Sequence, residues 1–152
     1  MSVRRFEIFA DYFQFYVCDE TYVTDTAALW GPNSDPMLAV GPDLIAIGTF
    51  RNMLVPVELE ILPAEPTPDP DAWDQVRDCG LSLASGSLIM FGCTDDPNEA
   101  ERIVVPAGDY AARISHGGLD ALSEDGLDGD DRYRIQLWPG AVRPMTVVKG
   151  PA

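Results

Sequence analysis

Ile103-Val104-Val105-Pro106-Ala107-Gly108-Asp109-Tyr110-Ala111-Ala112-Arg113-Ile114 leaves this chain less conformational freedom than any other stretch. β-Branched residues crowd a helical turn and pack well on a pleated surface, so residues 103 to 105 favour a strand. Pro106 presets φ for a turn, and Gly108 takes φ > 0 without steric cost, so the backbone is expected to reverse before a second strand opening at Tyr110. A hairpin at the centre of an all-β domain follows. Further on, Tyr133, Ile135 and Leu137 alternate with Arg132, Arg134, Gln136 and Trp138, which gives another strand with its apolar side chains on one face.

The same period of two recurs along the chain. Val55, Val57, Leu59 and Ile61 alternate with Pro56, Glu58 and Glu60, as in a strand with one wet face, and Pro56 points to an edge or a strand end. Residues 6 to 17 are rich in aromatics on both parities, which fits one long strand that is buried on both faces or bulged. Short strands are also expected at 37 to 40, 44 to 49, 73 to 83, 87 to 92 and 145 to 148, and less clearly at Tyr22 and Val23. Thr26 to Trp30 allows a single helical turn. Pro63, Pro66, Pro68 and Pro70 mark an extended surface connection able to move as an arm. With eight to ten short strands, no βαβ alternation and at most one short helix, the expected architecture is an antiparallel two-sheet β-sandwich.

One domain, residues 1 to 152, is expected at this length, and a chain of this size hides about 70% of the surface an extended chain exposes. No run approaches the roughly 20 apolar residues that span a bilayer, and Met1 to Glu7 lacks the apolar core of a signal peptide. A cytosolic protein with no membrane partner is therefore expected. Cys18, Cys79 and Cys93 are widely spaced with no C-x-x-C pair, as reduced thiols are. They and His116, the sole histidine, offer zinc-type donors, but no two stand at ligand spacing, so no metal or other cofactor is expected.

Charge narrows the partners. With 25 acidic residues against 10 basic ones, the net charge is −15, which repels phosphates and attracts basic surfaces. Direct nucleic-acid binding is disfavoured. The excess is local: residues 58 to 78 hold seven acids against Arg77, and residues 120 to 131 hold six against no base. A coat that only aids solubility is the simpler account of such charge. If the acids bind, the loop residues Asp69, Asp71, Asp74, Asp120, Asp125, Asp128, Asp130 and Asp131 are the candidates for contact with a basic protein.

Two motifs suggest other chemistry. Asp125-Gly126-Leu127-Asp128-Gly129-Asp130-Asp131 gathers oxygens as a hard cation requires, yet it lacks the 12-residue ligand frame and closing Glu of an EF-hand, and Asp-Gly pairs form ordinary turns. His116, at a strand end before Gly117-Gly118, could act as a general base beside Asp109 or Asp120 in a hydrolytic or small-molecule-binding sandwich. No nucleophile elbow, second histidine or phosphate-cradling glycine loop accompanies it. Trp30, Trp73 and Trp138 fit core or rim positions better than a ligand platform. An assembly subunit that uses an exposed sheet edge is a third class.

Tyr12-x-Gln14-Phe15-x-Val17 together with Pro106-x-Gly108-x-Tyr110 resembles the competence protein J family, small acidic inhibitors of a bacterial DNA-entry nuclease. The two motifs cover two strand regions at similar relative positions, and the middle of the chain and the 125 to 131 loop have no counterpart. The resemblance implies a non-enzymatic, immunity-like protein that restrains a nuclease or nuclease-like toxin with a basic DNA-binding cleft.

Overall fold

The computed structural model describes residues 2 to 32 and 34 to 151. In chain order these form β1 (Ser2–Phe9), β2 (Gln14–Asp19), the one-turn helix α1 (Thr26–Leu29), β3 (Leu38–Val40), β4 (Leu44–Gly48), β5 (Leu54–Ile61), β6 (Gln75–Leu83), β7 (Ser87–Gly92), β8 (Ile103–Val104), β9 (Gly108–Gly117), β10 (Arg132–Pro139) and β11 (Thr146–Lys149). Eleven strands is one above the range read from the sequence. One sheet has the order β1-β5-β10-β9-β6-β11 and the other β3-β4-β2-β7-β8. Their facing sides enclose the main core. Phe15, Val17, Ile45, Ile47 and Leu88 come from the five-stranded sheet, and Val57, Leu59, Leu81, Tyr110, Ile114, Tyr133, Ile135 and Leu137 from the six-stranded one.

The central hairpin does not form. β8 pairs with β7 in the five-stranded sheet, while β9 lies between β10 and β6 in the other. Residues 105 to 107 are therefore a corner that carries the chain from one sheet to the other. Gly108 takes φ +146, and the Tyr110 hydroxyl donates to the Pro106 carbonyl at 2.6 Å, locking the corner from within as tyrosine corners do in other sandwiches. Alternation fixed both arms as strands but carried no information about their partners. Residues 6 to 17 divide for the same reason: β1 and β2 belong to different sheets, joined by a turn at Ala10 to Phe13. The two-faced burial expected there holds for β2. Phe15 and Val17 face the main core, while Tyr16 and Cys18 pack in a second cluster with Tyr22, Leu29 and Trp30. Tyr22 and Val23 form no strand.

All pairings are antiparallel except β5 with β10. That parallel ladder begins at Val57↔Tyr133, one residue after Pro56. Pro56 thus sits near the start of an interior strand, where its missing N–H interrupts nothing on the β10 side.

The Pro-rich connection is a strap laid on the outer face of the six-stranded sheet, and no free arm. Glu65 pairs with Arg113 at 3.0 Å and Arg143 at 2.5 Å, and Asp69 with Arg134. Arg113 and Arg143 each also reach Asp78 and lie over the Trp138 ring. Trp138 packs with Leu62 and Ala111 beneath them.

Candidate partner-binding site

The strand registers bring several loops to one end of the sandwich. β1 ends there at Phe9, β2 begins at Gln14, β4 ends at Gly48 and β5 begins at Leu54. β6 begins at Gln75, β9 ends at Gly117 and β10 begins at Arg132. Residues 10 to 13, 49 to 53, 69 to 74 and 118 to 131 consequently meet at that end. The two acidic stretches, far apart in sequence, are bonded directly: the Leu119 amide donates to the Asp74 carboxylate at 2.9 Å, and the Asp74 amide to the His116 carbonyl at 2.8 Å. Gly118 permits the approach. Its φ of +77 favours glycine, and a Cβ there would lie 2.3 Å from the Asp130 carbonyl oxygen.

Not all eight candidate acids face solvent. Asp131 is 1% exposed, and its carboxylate accepts from Arg51 Nε at 2.6 Å and from the Tyr133 hydroxyl at 2.5 Å. It extends the inward parity of Tyr133, Ile135 and Leu137 by one step and serves the interior, out of reach of a partner. Asp69 is occupied as well. Both its oxygens accept from Arg134, whose guanidinium holds the Asp69 carboxyl below the usual carboxylate range, with a smaller contribution from Trp73. Asp125 accepts from the Ser123 hydroxyl and the Leu127 amide, which lower its pKa and shape the loop as a turn. The carboxylates of Asp71, Asp120, Asp128 and Asp130 are exposed and, among the described residues, pair with no Lys or Arg. The same holds for Asp125 and for Glu124, which is outside the candidate set, while Asp74 is half-buried and likewise pairs with no Lys or Arg among the described residues.

Apolar side chains stand among these acids. Leu119 and Leu127 are exposed in the acidic loop, and Tyr12 (68% exposed) and Phe13 (53%) project from the neighbouring turn. That turn is tied to the same end, since the Phe13 amide meets Asn52 and the Thr49 amide donates to the Phe13 carbonyl. Tyr12 and Phe13 hold φ of 57 and 58, a left-handed region that costs bulky residues energy and that recurs at functional positions. Aromatic composition alone places both residues in a strand, and no pattern in the sequence marks the turn.

His116 is fully buried. Its Nε2 lies 2.9 Å from the Gly48 carbonyl, its ring packs against Phe50 and Tyr133, and burial lowers its pKa to about 4. A neutral imidazole shut inside the core does not reach a substrate, which removes the base on which a hydrolytic reading rests. Burial likewise pushes the Cys18 and Cys79 thiols up, the latter to about 12, away from the nucleophilic thiolate form. Among the described residues no three His, Cys, Asp or Glu side chains are grouped to hold a metal, and no helix is long and apolar enough to cross a membrane.

Fold and site together define an all-β, two-sheet protein with one acidic end face set with apolar side chains. Its backbone is similar to the crystal structure of ComJ, inhibitor of the DNA-degrading activity of NucA, from Bacillus subtilis, with a TM-score of 0.66 over 92% of this chain and 96% of that one at 13% identity. It is also similar to the crocagin biosynthetic gene J protein, with a TM-score of 0.61 over 91% and 97% of the two chains at 19% identity. No family model matches the chain. No curated protein sequence matches it either.

Proposed function

We propose that this chain is a non-enzymatic inhibitor that binds a basic partner, a nuclease or nuclease-like toxin, through the acidic end of the sandwich. The observation that carries the reading is the meeting of two remote acidic stretches at one end, with carboxylates that no Lys or Arg among the described residues neutralises. Such a surface occupies a groove that would otherwise take phosphates and repels nucleic acid itself. The likeness in fold to an inhibitor of a DNA-degrading enzyme supports the same role. Tyr12, Phe13, Leu119 and Leu127 supply apolar anchors among the acids, as the centre of a protein interface requires.

The test begins with capture from the source cell and mass spectrometry, followed by titration of the captured protein's nuclease activity with the pure chain. The expected partner is basic and loses activity in proportion to the chain added. A partner with no nuclease activity, or the absence of any basic partner, overturns the proposal.

A further inference from the structure

Arg132 stands apart from the other cations of this acidic chain. Arg4, Arg5, Arg51, Arg77, Arg102, Arg113, Arg134 and Arg143 each have a carboxylate within ion-pair distance, and the Lys149 ammonium donates to the Pro70 and Trp73 carbonyls. Arg132 faces no carboxylate among the described residues. Its Nη2 donates to the Ala72 carbonyl at 2.6 Å, and its guanidinium lies 4.1 Å from the centre of the Trp73 ring. Five N–H groups serve one carbonyl and one aromatic face, which leaves donor capacity unused.

Arg132 and Trp73 line a pocket of about 260 Å³ on the outer face of the six-stranded sheet, closed on one side by the strap. Arg134 also lines it and lies over the same indole at 4.7 Å. Trp73 and Arg134 are 7% and 8% exposed; the guanidinium Nε of Arg134 completes no hydrogen bond, and the indole Nε1 of Trp73 completes none either, although the Asp69 carboxylate stands near enough to feel it. A buried guanidinium N–H without an acceptor is costly in a folded protein unless something supplies one. Pro56, Ala72 and Trp73 give the pocket its apolar lining, while the Phe6 and Val57 side chains belong to the core face of the sheet.

We propose that this pocket binds an organic monocarboxylate with a flat apolar body. Its charges set the valence. Arg5, Arg132 and Arg134 face Glu58 and Asp69, an excess of one positive charge that one carboxylate balances and a phosphate dianion overshoots. A planar guanidinium matches a carboxylate with two parallel bonds. The volume sets the body: an apolar cavity of about 150 Å³ accepts benzene, so this one holds a ring and a carboxylate arm. Two sources share that chemistry, a free aromatic acid and the C-terminal residue of a peptide.

Calorimetric titration of the full chain with benzoate tests the site, with benzyl alcohol and inorganic phosphate as comparisons. Saturable benzoate binding at roughly millimolar strength is expected, with both comparisons at least about tenfold weaker. Arg132→Gln is expected to weaken benzoate binding about tenfold while lowering the melting temperature by no more than a few degrees, since the exposed side chain gives up one carbonyl bond and its contact with the indole. Arg5→Gln, at a side chain 80% exposed, gives a second variant with an expected loss of about threefold. A peptide ending in a free Phe carboxylate that binds more tightly than benzoate, and loses this on amidation, assigns a chain terminus; one that binds no more tightly assigns a free acid. Absence of saturable binding, phosphate or benzyl alcohol equal to benzoate, or affinity unchanged in both variants overturns the proposal.

Discussion

Asp130 and Asp131 are adjacent in sequence and opposite in environment. Asp131 accepts from Arg51 and Tyr133 in the interior, while the Asp130 side chain is exposed and unpaired among the described residues. Breaking a buried ion pair at one partner leaves the other charge uncompensated, so Asp131→Asn is expected to cost about 3–5 kcal/mol. Asp130→Asn is expected to stay within about 0.5 kcal/mol of the parent, and urea denaturation of the two variants separates these outcomes. His116 gives the interior a pH dependence of definite sign. Its folded pKa, about 4, is below the ordinary 6.5 because burial disfavours the imidazolium; Arg77 adds to this, while the Gly48 carbonyl and Asp35 oppose it. Between these values the unfolded chain binds the extra proton, so this residue's contribution to stability falls as pH drops from about 6.5 to about 4 and is level below. The gap corresponds to roughly 3 kcal/mol. Urea titrations of the parent and of His116→Gln are therefore expected to converge as pH falls from 7 to 4, and a constant difference would refute the assignment.

The turn from Ala10 to Phe13 is the element in which local preference and observed geometry conflict. Two consecutive aromatics hold positive φ and face solvent, and the amides of Phe13 and Thr49 bond the turn in place. Replacing Tyr12 by Ala or by Gly removes the same ring, but only Gly relieves the left-handed strain, so Tyr12→Gly is expected to be more stable than Tyr12→Ala by about 1 kcal/mol in denaturant melts. Equal stability would show that the backbone leaves this conformation once the ring is gone. The same turn marks where the sequence stops being legible. Period-two patterning locates β5 and β10, a short apolar run locates β4, and turn chemistry followed by an aromatic locates β9, because all of these are local properties of the chain. Which strand pairs with which depends on contacts between distant residues, so the corner at Pro106 resembled a hairpin and the parallel β5–β10 ladder left no trace. The site divides likewise. The acidity of residues 120 to 131 is plain in the sequence, and carrying the Tyr133 parity back one step marks Asp131 as inward. The meeting of Asp74 with Leu119, and the turning out of Tyr12 and Phe13, arise only from the sheet registers.

At the scale of the whole molecule, the strap and the interior consume half of the positive charge. Arg113, Arg134 and Arg143 hold the strap, and Arg51 and Arg77 seal the space between the sheets. The net charge of −15 is therefore exposed most strongly at the end formed by residues 69 to 74 and 118 to 131, where Asp69 and Asp131 are paired but Asp71, Asp120, Asp128 and Asp130 meet no Lys or Arg among the described residues. A charge distribution of this kind acts first on encounter rates, because its field reaches beyond contact distance. Raising ionic strength from 0.01 M to 0.15 M shortens the screening length from about 30 Å to about 8 Å, so association with a basic partner is expected to slow steeply over that range. The variant that isolates the effect neutralises Asp71, Asp120, Asp128 and Asp130 to Asn and spares Asp131, whose loss would instead report on folding. Stopped-flow or surface-based kinetics with the captured partner are expected to show an on-rate lowered by at least about tenfold and a reduced salt dependence, with an off-rate changed far less, as for charges at an interface rim. An unchanged on-rate in the quadruple variant, with the parent equally fast at both ionic strengths, would leave the acidic end as a solubility feature and move the partner contact to another face.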